Sequence, residues 1–120
     1  MEDTLPADDK TTALELAALI KDHRGEAVAL LDLREMNYWT DFFVIATVSS
    51  VAHLQGLQRH IKDYAREKGI ELLRHHRKIN SDDEWNLMDL GNIVIHLMSE
   101  RSRAFYELER LWSAAAIINP

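Results

Sequence analysis
The chain has 120 residues, 47% of them hydrophobic and 28% charged, which fits one globular domain with a single core. Its formal net charge of −6 argues against a nucleic-acid binder, because phosphate contacts need a basic face. Cysteine is absent, which excludes disulfides, thiolate nucleophiles and zinc–sulfur sites.

Residues 1–10 begin MEDTLPADDK, an acidic stretch with no apolar core that reads as a frayed segment and not as a signal or transit peptide. Residues 11–120 then read as a single domain. Thr12 and Glu15 have the spacing of a capping box, and Leu16, Leu19 and Ile20 form an apolar stripe. Together they predict a helix from Thr12 to Arg24, ended by Gly25. Ala27–Leu33 (AVALLDL) suits a buried strand. A polar-aromatic turn over Met36–Thr40 leads into Asp41–Val48 (DFFVIATV), the strongest strand pattern in the chain. Ser49 and Ser50 supply an N-cap, and Val51, Leu54, Leu57, Ile61 and Ala65 recur at helical spacing until Gly69. Ile70–His76 predicts a third strand, and Lys78–Glu84 a polar loop. Strands follow at Trp85–Leu90 and Asn92–Met98, with a last helix from about Glu100 to Ser113. No run approaches the length of a membrane span; the longest unbroken apolar stretch is Phe42–Ala46. A bacterial-type cytoplasm is the simplest address, with no membrane contact.

The second helix is long enough to act as a crossover, which would leave its flanking strands parallel. The strands around Gly91 are too close for a crossover and should pair antiparallel. The expected fold is α/β, a mixed five-stranded sheet with helices packed on it.

Candidate chemistry is sparse. Of the six histidines, only His53 and His60 share a helix, two turns apart, and His75 and His76 would point to opposite faces of a strand. With His23 they read as a scattered surface set and not as a metal site. His96 interrupts an apolar strand and reads as a core histidine hydrogen-bonded to a neighbouring element, Asp89 being the candidate partner. A general acid–base role would need a nucleophile or an oxyanion device, and neither is nearby. Asp32, Asp41 and Asp89 sit at strand ends but one to a strand, where a two-metal site wants carboxylates converging. Thr47–Ser50 resembles a phosphate-gripping helix start, yet lacks the glycine that would let backbone approach a ligand. Ser49 and Ser50 therefore read as caps. No cofactor, no metal and no catalysis are expected.

The segment from Trp85 to Trp112 carries more apolar surface than one buried stripe needs, which points to a partner. Phe105, Leu108 and Leu111 read as core, with Trp112 on the same stripe. Tyr106 lies about 100° from Phe105, beside Glu109 and Arg110, and reads either as an interface anchor or as core. Trp85 either caps the core or presents its ring outward.

Three stretches together resemble the ribosomal silencing factor family, also called the Iojap family, over about Ala13 to Ala115. They are LLDLREMNYWTDFFVIATVSSVAHLQGL, the W-x-L-x-D-L-G-x-I-V-I-H run from Trp85 to His96, and the R-x-F-Y-E-L-E-R-L-W run from Arg103 to Trp112. The resemblance implies binding to the large ribosomal subunit through its fourteenth protein, on the face that meets the small subunit. Joining would be blocked sterically and translation lowered when nutrients are scarce. It also implies a nucleotidyltransferase-like topology without the catalytic carboxylates, and little or no direct nucleic-acid contact. Carried over by motif, the partner-binding surface falls on Trp85, Leu87, Asp89, Tyr106, Leu108, Glu109 and Trp112. Two departures are visible. Val48 stands where members commonly have glycine, and Lys78–Ser81 where many carry a Glu-Gly step. The competing readings are a minimal nucleotidyltransferase using Asp32, Asp41 or Asp89 with magnesium, and a module whose spare apolar surface makes a homodimer when free.

Overall fold
The computed structural model describes residues 8–36, 38–73, 84–107 and 116–118. In chain order they form α1 (Asp9–Asp22), β1 (Glu26–Asp32), a 3-10 turn (Arg34–Met36), β2 (Phe42–Val48), α2 (Val51–Lys68), β3 (Trp85–Asp89), β4 (Ile93–Ser99), α3 (Glu100–Tyr106) and β5 (Ala116–Ile118). The strands make one five-stranded sheet in the order β3-β4-β2-β1-β5. β2 and β4 run parallel at its centre, Phe42 opposite Ile93 through to Val48 opposite Ser99. The other three pairings are antiparallel. The expected mixed five-stranded α/β sheet is therefore present.

Its composition differs from the expected one in two strands. Ile70–His76 forms no strand over its described part. Leu73 makes a single bridge to Asp89, and residues 74–76 lie outside the described residues. The backbone N–H of Ile70 is instead spent on Ala65 O, closing α2 behind Gly69, which sits at φ 70°. The fifth strand is β5, antiparallel to β1 on the far edge. Consequently the strand parallel to β2 is β4, and the crossover contains both α2 and β3.

Period-two alternation divides the sheet into two faces. Phe42, Val44, Ala46, Ile93, Ile95, Leu97, Leu30 and Met88 pack with α1 and α2 in the larger cluster. α1 contributes Ala13, Leu16, Ala17 and Ile20, and α2 contributes Leu54, Leu57 and Ile61. Each such fully buried Leu or Ile is worth roughly 1.5–3 kcal/mol, so this face holds most of the stability. The opposite face carries Leu31, Phe43, Ile45, Val94 and Met98, with Trp85, Leu87 and Tyr106 packed partly buried against them.

The helix starts also show what local spacing misses. α1 begins at Asp9 because Asp8 is its cap, its carboxylate accepting from Thr11 N–H at 2.8 Å. Thr12, expected as the cap, lies inside the helix and is buried. Glu15, expected to complete the box, accepts the Tyr64 hydroxyl at 2.5 Å and ties α1 to α2. α2 is capped as expected by Ser50, which accepts from His53 N–H at 3.0 Å. Val51, placed on the buried stripe by spacing, is 52% exposed because it belongs to the first turn, before the stripe meets the sheet.

Candidate functional site
Trp85, Leu87 and Asp89 occupy alternate positions of β3, so all three stand on the sheet face away from α1 and α2. Each is half-buried. α3 follows β4 directly and folds back over this face. Ser99 caps it by accepting from Ser102 N–H at 3.1 Å, and also donates its hydroxyl to Glu84 at 2.9 Å. Glu84 further pairs with Arg101, so the start of β3 and the start of α3 are stitched together. From the middle of α3, the Arg103 guanidinium reaches across to Thr47 Oγ1 at 3.0 Å and Ala27 O at 2.7 Å. Ala27 sits at φ 48° where the β1–β2 register shifts, and that irregularity presents its carbonyl to the arginine.

Pinned in this way, α3 lays Tyr106 on Trp85, with ring centroids 4.6 Å apart and planes 48° to one another. The Trp85 indole N–H donates to His96 Nδ1 at 3.1 Å. His96 is therefore the core histidine expected, but its partner is Trp85 and not Asp89. The Asp89 carboxylate is taken by the Gly91 backbone N–H at 2.8 Å, fixing the turn between β3 and β4. Because His96 Nδ1 accepts, its proton resides on Nε2, which is buried without a hydrogen-bond partner among the described residues. Burial first, and the positive Arg103 second, push the imidazole pKa down to about 3, so the ring is neutral at physiological pH.

The last helix departs from its expected form. It ends at Tyr106, Glu107 turning into the left-handed region at φ 47° with its N–H on Arg103 O. The expected continuation to Ser113 falls on residues 108–113, which lie outside the described residues. Leu108, Glu109 and Trp112 lie outside the described residues, as does Leu111. Phe105, read as core, is 76% exposed, and it meets Tyr106 edge-on at 4.9 Å. The stripe assigned to Phe105 assumed a continuing helix. With a seven-residue helix, Ser102 and Tyr106, one turn apart, are the pair that faces the sheet. Phe105→Ala is therefore expected to shift folding stability by less than about 0.5 kcal/mol, as an exposed truncation. Tyr106→Ala should lose about 1–2 kcal/mol through the aromatic contact and its half-buried area. Urea unfolding of both variants checks the order, and the reverse order would show that α3 is rotated from this placement.

Sequence reasoning also passed over Tyr38, Trp39 and Phe43. Phe43 is buried against His96, ring centroids 4.4 Å apart and edge-on, while Trp39 is 59% exposed. The signal was a Tyr-Trp pair in a polar turn, where no core position called for aromatics.

Asp32 and Asp89 stand on opposite faces of the sheet, each with its carboxylate hydrogen-bonded. Asp32 pairs in register with Phe42 on the helix-covered face, whereas Asp89 pairs with Val94 on the other. Arg34 grips the Asp32 carboxylate through Nε at 2.9 Å and Nη2 at 2.7 Å, which holds its pKa below the ordinary 3.8. At the turn entering α2, Ser49 N–H donates to His53 Nδ1 at 3.0 Å, and His53 Nε2 donates to His23 O at 2.9 Å. An imidazole thus occupies the donor that a phosphate would use. His23 and His60 stack with centroids 3.6 Å apart. Among the described residues no three His, Asp or Glu side chains gather as a metal-holding group. A cleft of about 330 Å³ between α1, the end of α2 and the β3–β4 turn includes Glu15 and Tyr64, which satisfy each other, and Asp9, which accepts from Asn92. No helix among the described residues is long and apolar enough to cross a membrane.

Comparison with known proteins agrees with the resemblance drawn from the motifs. The family described as "Ribosomal silencing factor during starvation" matches residues 6–119. A ribosomal silencing factor of Bacillus subtilis is 36% identical over 103 residues, 84% of either chain. A crystal structure from Bacillus halodurans superposes with a TM-score of 0.73 at 30% identity, covering 92% of this chain and 99% of that one. A more distant mouse relative, 28% identical over 108 residues, 82% of this chain and 43% of that one, is named for mitochondrial assembly of the ribosomal large subunit. With the motifs, the sheet and the length of the match in agreement, this chain belongs to the ribosomal silencing factor family.

Proposed function
We propose that this protein docks on the large ribosomal subunit through its fourteenth protein and sterically prevents the small subunit from joining, so that translation falls when nutrients are scarce. The observation that carries the reading is the partly exposed set Trp85, Leu87, Asp89 and Tyr106, gathered on one sheet face by β3 and α3. Large amphipathic rings beside a carboxylate suit a basic protein partner, and the formal charge of −6 favours such an encounter. The mouse relative's name supports the large subunit as the site of action. Leu108, Glu109 and Trp112 belong to the same proposed surface by motif alone. Direct contact with nucleic acid has little part in this reading, and a cytoplasmic location goes with it.

The role is taken as non-catalytic, within one domain that takes in α1 from its Asp8 cap onward. The dispersed Asp32 and Asp89, and the His53 ring on the Ser49 N–H, favour a non-catalytic role, and the nucleotidyltransferase-like topology without catalytic carboxylates is taken from the family resemblance. The test is sedimentation with isolated subunits followed by order of addition. The protein should travel with large subunits and not small ones. Added before the small subunits, it should slow formation of joined ribosomes, and added afterwards it should do little, because its surface would be covered. Equal partition between the subunits, or an undiminished rate of joining, would remove the proposal.

A further inference from the structure
We propose that the Tyr38–Trp39 turn is a second anchor of the docking face, received by a basic protein surface; this rests on the docking reading above. Trp39 is 59% exposed and Tyr38 37%, in a turn where neither ring is required by the core. An exposed tryptophan that is rigidly held is the residue type that dominates binding interfaces. Two independent features hold it. The first is a run of ring contacts. Trp39 lies 5.6 Å from Tyr38, Tyr38 meets Phe43 edge-on at 6.1 Å, and Phe43 meets His96, the acceptor of Trp85. The second is backbone. The Thr40 hydroxyl donates to Gly91 O at 3.1 Å, and the N–H groups of Asp41 and Phe42 both reach Asn92 O at 3.0 Å. Asp89 closes the same turn from the other side. The aromatic turn and the Asp89 end of β3 are thus two sides of one hydrogen-bonded ridge.

Charge selects the occupant. Residues 32–41 hold three carboxylates, Asp32, Glu35 and Asp41, against one cation, Arg34, a balance of −2. Arg34 is committed to Asp32, so Glu35 and Asp41 are the acids flanking the two rings, with Asp89 across the turn. Lysine and arginine side chains on a protein surface suit that rim, and a guanidinium can also lie on the indole face. RNA would meet like charge here, and a second copy of this chain in a two-fold contact would set these acids against themselves.

The experiment measures the affinity of the full chain for isolated large subunits, with melting temperature alongside. Trp39→Ala should weaken binding tenfold or more with the melting temperature unchanged. Glu35→Lys, an exposed charge reversal, should weaken it severalfold, by an amount that shrinks as salt is raised. Parent-like binding by Trp39→Ala, while Tyr106→Ala binds poorly, overturns the second anchor and leaves the docking reading standing. Failure of the parent itself to bind overturns both. If Trp39→Ala changes self-association, or binding to protein-free ribosomal RNA, in place of subunit affinity, the occupant named here is wrong.

Discussion

Trp85→Ala is expected to lose about 3–5 kcal/mol of folding stability, the range for removing a large aromatic from packed surroundings. The residue is only half-buried, so area alone would place it at the low end. Two further losses raise it. The indole is the platform on which Tyr106 rests, and its removal unseats the last turn of α3. It is also the donor to His96 Nδ1, and without it a buried imidazole has neither nitrogen paired among the described residues. Stranding a buried polar group costs about 1–3 kcal/mol. Trp85→Phe separates these contributions, because it keeps a ring against Tyr106 while deleting the N–H. It should lose about 1–2 kcal/mol, mostly from the hydrogen bond. The measurement is the urea midpoint of each variant at constant slope. If Trp85→Phe unfolds with the parent, the His96 contact contributes nothing and the face is held by ring packing alone.

The second large effect is a loss of stability on mild acidification. His96 has its pKa driven from 6.5 to about 3 by burial and by Arg103. In the unfolded chain the ring takes a proton near pH 6.5, while in the folded chain it does not, so the unfolded state binds more protons as pH falls. The His96 contribution is thus fully present above about pH 6.5 and is lost progressively below it. At 1.36 kcal/mol per unit, acidifying from pH 6.5 to 5 should cost about 2 kcal/mol from this residue. Asp32 acts in a separate window. Its pKa is lowered by the Arg34 hydrogen bonds, so its contribution persists until the pH drops below the ordinary 3.8. His96→Gln keeps a side-chain oxygen that can accept from Trp85 but does not titrate. Its stability between pH 7 and 5 should fall less steeply than the parent's, and equal slopes would mean that His96 protonates in the folded state.

Which parts of this molecule could be read from sequence follows from the range of the interactions that make them. β2, the β3–β4 pair and most of α2 were legible, because alternation, a Gly-centred turn and a Ser cap act within a few residues. Trp85, Leu87 and Asp89 entered as a set through the family motif, and the strand's period of two is the physical reason they share one face. β5 was not. A three-residue strand exists only because β1 lies ready for it more than eighty positions earlier in the chain. Ile70–His76 had the composition of a strand, but its first N–H was claimed by the end of α2. Phe105 and Tyr106 were exchanged because a helix that stops at Tyr106 settles its rotation through Arg103 and Ser99, not through a stripe continued to Trp112. Tyr38 and Trp39 were visible as residues, though their attachment to the Asp89 turn runs through tertiary hydrogen bonds.

The parallel pairing of β2 with β4 bears on the order in which the chain assembles. These two strands form the centre of the sheet, yet α2, β3 and the turn at Gly91 all intervene between them. Loop closure over such a separation must precede any return from the pairing, which slows folding relative to domains built on local contacts. The β3–β4 hairpin, the β1–β2 pair and α2 close over short separations, so they are expected to form before the parallel pairing. The rate-limiting event should then be the docking of a preformed C-terminal hairpin alongside a preformed N-terminal one. In that event Thr40, Asp41 and Phe42 meet Gly91 and Asn92, so the ridge beneath the aromatic turn is the seam along which the two halves of the chain are joined.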